Sequence, residues 1–281
     1  MECYLRWNWN VNRLFVYGMK LGILYTTWTG DDMQMLKDSI EQHLPFVDGV
    51  LVFMENKSLH NEFIDFSEKH RIDYHLSNSK VQLFKTHCFG NYEANTKLFE
   101  RNKHNQMIQE AKKQGFTHFI LAAGDHFYSK ETFEAGKEVA ENVDVSFTKM
   151  VTYYRTSDLA VWPLEDYYMP FINKMYSNTE ISTAVKYPVT VDPSVKVNTS
   201  YSFVVFEPEQ AILHHYSMVR KNILRKFRNA ASSIRWTKEQ KETFINEYNN
   251  AQIGDKISYF QGRELKKASE VLELIKQKHY I

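Results

Sequence analysis

From residue 19 onward the chain alternates short apolar runs with amphipathic stretches, and this alternation limits the possible folds more than any other feature. Strand-length apolar runs separated by helical patterns predict an α/β protein with a mostly parallel central sheet flanked by helices. Residues 20–27 read as the first strand. Asp31 and Asp32 stand where a helix cap is wanted, Met33, Leu36, Ile40 and Leu44 follow at helical spacing, and Pro45 ends that helix. Residues 49–54 are a second apolar run, 61–70 a second helix with Phe63 and Phe66 on one side, and 74–76 a short third strand. Residues 81–96 show no clear period and are expected to loop over the sheet. A long helix is expected over 97–114, with Gly115 at its C-cap. Residues 116–123, the most apolar strand, run directly into Gly124, Asp125, His126, Phe127 and Tyr128. Beyond it, 145–154 and 202–206 read as strands separated by the proline-containing stretch 162–170. Residues 211–217 lead into a basic segment, and 237–251 and 262–278 read as closing helices. The expected organisation is an irregular extension over 1–18, one α/β domain over 19–235, and C-terminal helices over 236–281 packed on that domain.

Composition narrows the function classes. The chain has 281 residues, 43% hydrophobic and 25% charged, with ten Gly and six Pro, which excludes a disordered or low-complexity chain. Thirty-five Lys and Arg against 34 Asp and Glu give a net charge of +1, so any polyanion site must be a local patch. Cys3 and Cys88 alone build neither a disulfide framework nor a four-thiolate zinc site, which suits a reducing cytoplasm. No apolar run approaches the roughly 18 residues of a membrane span, so no integral membrane segment is expected.

Candidate chemistry concentrates at two places. Asp125 ends the most apolar strand, where a carboxylate faces the ligand crevice of an α/β sheet, and His126 beside it is a second metal donor; the alternative for Asp125 is a cap on the turn at Ser129 and Lys130. Far along the chain, His214 and His215 end a strand-like run followed by Arg220. Adjacent strand residues point to opposite faces, so only one histidine should face the crevice, and His215 is favoured because it directly precedes Tyr216-Ser217-Met218-Val219-Arg220.

Residues 20–27, 49–58, the pair Arg101 and Asn102, and 116–128 together resemble a family 2 type glycosyltransferase with the GT-A, Rossmann-like fold. The family's Asp-x-Asp-Glu-Phe-Tyr motif reads Ala123-Gly124-Asp125-His126-Phe127-Tyr128 here, so Ala123 replaces the first carboxylate. A second family signature is matched by His214 through Arg220, with Lys226, Asn229, Ser232 and Ser233 following. The resemblance implies a nucleotide diphosphate sugar donor, UDP-linked for example. It also implies a divalent metal, manganese or magnesium, held by Asp125 with His215, His214 or His126. The nucleotide would lie near Thr26, Thr27, Trp28 and Glu55, with Gly124, Arg101 and Arg220 on the diphosphate side. Direct displacement at the anomeric carbon needs a carboxylate base, for which Glu165 and Asp166 are suggestive and His126 a second candidate.

Three function classes stand at this point: a hexosyl- or pentosyltransferase, a nucleotide-sugar-binding module without catalysis, and a nucleic-acid-binding protein. The last rests on residues 219–238, which carry Arg220, Arg225, Lys226 and Arg228 and no Asp or Glu. In a transferase, Arg225, Lys226 and Arg228 would hold an anionic acceptor, either a glycan or lipid carrier or a hydroxymethylated base in DNA, as in phage-type DNA modification.

Overall fold

The computed structural model describes residues 18–28, 33–55, 78–86, 96–220, 222–224, 226 and 236–277. All of the expected extension over 1–18 except Gly18, the helix over 61–70, the strand over 74–76 and most of the basic segment, including Arg225 and Arg228, lie outside the described residues. The first half of the fold comprises β1 (Leu21–Trp28), α1 (Met33–His43), β2 (Gly49–Glu55), β3 (Val81–Thr86), α2 (Thr96–Lys113), β4 (His118–Ala123), β5 (His126–Tyr128) and α3 (Lys130–Ala140). The second half comprises β6 (Val145–Tyr154), β7 (Thr156–Trp162), β8 (Met169–Lys174), β9 (Phe203–Val205) and β10 (Ile212–Met218). After these come α4 (Lys238–Asn250), β11 (Lys256–Ile257), β12 (Arg263–Lys267) and α5 (Ala268–Gln277).

Strands β4, β1, β2 and β3 lie side by side in that order, all parallel, and form the centre that the alternating pattern predicts. Beyond β4 the sheet becomes mixed: β8 pairs antiparallel with β4 and β6, and β7, β12 and β11 continue it antiparallel. The long strand β6 pairs in parallel with β9 through its first half and with β10 through its second. Period-two alternation divides the core into two layers. Leu21, Ile23 and Tyr25 of β1 pack with Leu36 and Ile40 of α1 and Phe133 of α3. Leu24 faces the other way, with Met107, Ile108 and Ala111 of α2.

Two expectations are corrected. Residues 81–86 form β3, paired with β2 from Val50↔Val81 to Glu55↔Thr86, instead of opening a loop over the sheet. Val81 and Leu83 are partly buried against one layer and Phe84 against the other, a pattern submerged when residues 81–96 are scanned as one window. Residues 262–278 are not one helix: Arg263–Lys267 is β12, paired with Leu159–Trp162, and only Ala268–Gln277 is helical. Arg, Glu, Leu and Lys all favour helix, but Leu265 gains complete burial in the sheet, and that packing overrides propensity. The stretch 162–170, expected only as a separator, joins two further strands, β7 and β8.

Candidate active site

The strand order reverses between β1 and β4, so the crevice outside their carboxyl ends is the switch point at which such sheets bind ligands. There β4 turns through Gly124 and Asp125 into β5. A Cβ on Gly124 would lie 3.1 Å from the Leu36 Cβ and 3.3 Å from its Cα, so glycine lets the turn rest against α1. Strand β5 then pairs antiparallel with β10, Tyr128↔Leu213, Phe127↔His214 and His126↔His215, while the Tyr216 N–H donates to the Asp125 carbonyl at 2.9 Å. This pairing joins the two candidate segments, which are some ninety residues apart in sequence.

Asp125 is 6% exposed, and its carboxylate is the hub of the site. Oδ2 accepts from Arg220 at 2.5 Å and lies 3.6 Å from Lys226 Nζ. Oδ1 lies 3.9 Å from Nε2 of both His126 and His215. The two imidazoles meet edge to face at 5.2 Å. Burial opposes the charge on Asp125, yet Lys226 and Arg220, with the two histidines, outweigh it and hold the carboxyl well below the usual carboxylate range. Burial pushes His215 down to about 3 despite Asp125, and lowers His126 for the same reason, so both rings are neutral near neutral pH. Lys226 also donates to the Ser217 carbonyl at 2.5 Å, and Arg220 Nε to the same oxygen at 3.3 Å.

This donor set fits a divalent cation. Asp125, His126 and His215 each present one ligand atom, all within 4.8 Å of one another, and a carboxylate with two neutral imidazoles suits a borderline metal. Arg220 and Lys226 engage Oδ2, which leaves Oδ1 turned toward the histidines. Nδ1 of both histidines is buried without a hydrogen-bond partner among the described residues, where a metal-binding imidazole usually has an outer hydrogen bond that orients it. His214 is not brought to this cluster. It points to the opposite face of β10, where Tyr153 Oη lies 2.7 Å from its Nδ1.

The other candidates occupy several positions around the crevice. Thr26 and Thr27 lie near the end of β1, Thr26 beside Ala123 of β4, with Thr27 buried and Thr26 half-buried. Trp28 and Glu55 pair through their backbones at the ends of β1 and β2, and their side chains lie outside the described residues. Arg101 is half-buried on α2, whose buried residues pack on the sheet face opposite α1. Glu165 and Asp166 separate. Glu165 Oε1 accepts from Thr152 Oγ1 at 2.6 Å, and Thr152 is the ladder partner of His215, so Glu165 is held beside the strand that carries the cluster. Burial raises the Glu165 carboxyl above its ordinary value, although Thr152 and Arg263 oppose the shift. Asp166 is 83% exposed and accepts from Arg263 at 2.8 Å. Sequence reasoning missed Arg263, and no signal could have found it, because only the pairing of β12 with β7 brings it near. Lys226, expected on the acceptor side, stands on Asp125 itself.

The fold and site together define a class: an α/β protein whose mixed sheet places a carboxylate, two imidazoles and two cations at the carboxyl end of its central parallel strands. No protein-family model matches the chain, and no curated protein does. Among solved structures it is similar to a crystal structure of S. aureus TarS 1–349, with 13% identity over 83% of this chain and 71% of that one, and a TM-score of 0.43. It is similar also to TarS 1–349 in complex with UDP-GlcNAc, with 13% identity over 83% and 72% of the two chains and a TM-score of 0.42. A further crystal structure of TarS is 14% identical over 83% of this chain and 43% of that one, with a TM-score of 0.42.

Proposed function

We propose that the chain is a glycosyltransferase of the GT-A type that moves a sugar from a nucleotide diphosphate sugar to a hydroxyl acceptor with the help of a divalent metal ion. The observation that carries this function is the convergence of two distant segments on one buried carboxylate, Asp125, at the switch point of the sheet. Departure of a nucleoside diphosphate develops negative charge, and a dry site with fixed cations stabilises it far better than water does. Arg220 and Lys226 supply that charge from the chain itself. Asp125, His126 and His215 would hold the manganese or magnesium ion, whose chemistry when bound is to neutralise the departing diphosphate. Thr26, Thr27, Trp28 and Glu55 receive the nucleotide at the ends of β1 and β2, Gly124 leaves room at the turn, and Arg101 serves the diphosphate from α2.

Glu165 takes the proton of the acceptor hydroxyl, a role favoured by its burial and its raised affinity for protons. Asp166 holds Arg263 beside it. The acceptor is anionic, a phosphorylated glycan, a lipid carrier or hydroxymethylated DNA, and meets Arg225 and Arg228 while Lys226 spans both substrates. A screen of UDP-, GDP- and other nucleotide sugars for manganese-dependent thermal stabilisation tests this function. One donor class should raise the melting temperature by about 5 °C at a hundred times its Kd, since such saturation adds about 2.7 kcal/mol. Stabilisation without turnover would make the chain a binding module, and no stabilisation by any nucleotide would overturn the transferase assignment.

A further inference from the structure

Strand β5 carries His126 into the site, and its edge away from β10 has no strand beside it among the described residues. Unpaired backbone groups at such an edge need other partners when they are buried. Here they come from side chains. Ser39 Oγ donates to the His126 carbonyl at 2.6 Å, Gln42 Nε2 donates to the Tyr128 carbonyl at 2.9 Å, and the Tyr128 N–H donates to His43 Nε2 at 2.8 Å. Tyr25 Oη joins the two ends, 2.6 Å from His43 Nδ1 and 2.9 Å from Ser39 Oγ. Tyr25, Ser39, His43 and Tyr128 are completely buried.

The two ends of this chain fix the direction of every proton in it. A backbone N–H can only donate, so His43 Nε2 is the acceptor and the imidazole proton sits on Nδ1. Nδ1–H then donates to Tyr25 Oη, the Tyr25 hydroxyl donates to Ser39 Oγ, and Ser39 donates to the carbonyl of His126, which can only accept. The three side chains close a loop on β5 that begins at Tyr128 and ends at His126. A protonated His43 would present a second donor to the Tyr128 N–H and open the loop. Burial holds His43 neutral, down to a pKa of about 3.

We propose that His43, Tyr25 and Ser39 form a positioning clasp that sets the place of His126 in the Asp125–His126–His215 cluster. The clasp rests on the transferase assignment only for the meaning of His126. Its geometry is separate, and so is one of the two measurements below. The protein with 15N-labelled histidine is compared as wild type, Tyr25→Phe and Ser39→Ala, with Thr179→Val as a control. Thr179 shares a buried hydrogen bond with Thr199 and contacts neither α1 nor β5 through it. Long-range 1H–15N spectra should show His43 of the wild type protonated at Nδ1 and bare at Nε2. In Tyr25→Phe and Ser39→Ala the ring signals of His126 and His215 should move while those of His104 and His118 stay. Where a donor is turned over, kcat should fall about tenfold with KM for the donor little changed, as expected when a misplaced group weakens the reacting geometry and not binding. Thr179→Val should lose stability with no change in the His126 signals or kcat. The clasp is overturned if Tyr25→Phe and Ser39→Ala lose stability as Thr179→Val does while the His126 signals keep their wild-type positions. A wild type that turns over no donor sinks the transferase assignment alone, since the ring signals still decide the clasp.

Discussion

A carboxylate as buried as Asp125 stays ionised only with compensating charge close by, and Arg220 and Lys226 provide it from one side while His126 and His215 stand on the other. The histidines themselves stay neutral because burial disfavours their charged form, and the fully buried His43 behind them is held down to about 3 in the same way. Its folded-state pKa lies below the unfolded one, so the unfolded chain binds more protons between those two values, and stability is lost as pH falls through that window. From a reference of 6.5 to about 3, His43 alone should cost about 2 kcal/mol of stability on going from about pH 7 to about pH 5. Urea unfolding at the two pH values measures it, and His43→Gln should narrow the difference. An unchanged urea midpoint in the wild type would contradict the buried, neutral imidazole. Asp125 and His126 are legible in the sequence because the end of an apolar strand is written in local order, and His215 is legible through the Tyr216 to Arg220 run that directly follows it. Tyr25, Ser39 and His43 were not legible, since each looks like an ordinary core or helix position until α1 is laid along β5.

At the level of elements, α3 lies close against β8. A Cβ on Gly136 would sit 2.4 Å from Phe171 Cε1, and the Phe171 ring in turn meets Tyr128 of β5 at 4.5 Å, tilted by 32°. Gly136→Ala gains helix propensity but overpacks this contact, and the net effect should be a destabilisation of about 1–2 kcal/mol. A thermal or urea melt measures it, and a midpoint equal to or above that of the wild type would show that the α3–β8 contact has room to spare. Among the elements that pattern alone revealed, β1, β2, β4 and β6 are buried apolar runs whose hydrophobicity suffices to mark them. It also missed the helix α3, and among the strands it missed, three are strands by partnership. Strand β7 begins with three exposed residues, β12 is composed mostly of helix formers, and β3 lies at the end of the strand order, where half-burial weakens the signal.

Across the whole molecule, the C-terminal residues pack against the segments that carry the candidate residues. Tyr248 of α4 donates to the Met218 carbonyl at 2.8 Å at the turn that leads to Arg220, and Arg263 of β12 reaches Asp166. No helix among the described residues is long and apolar enough to cross a membrane. The central claim is that a single carboxylate, with His126 and with His215 instead of its neighbour His214, organises donor chemistry, and donor turnover by four proteins tests it most directly. The wild type should turn over its nucleotide sugar with manganese, and Asp125→Ala should lose about 100-fold or more while keeping its fold. His215→Ala should lose the manganese dependence, and His214→Ala, altered on the opposite face, should keep it. Full turnover by a folded Asp125→Ala protein would contradict the account.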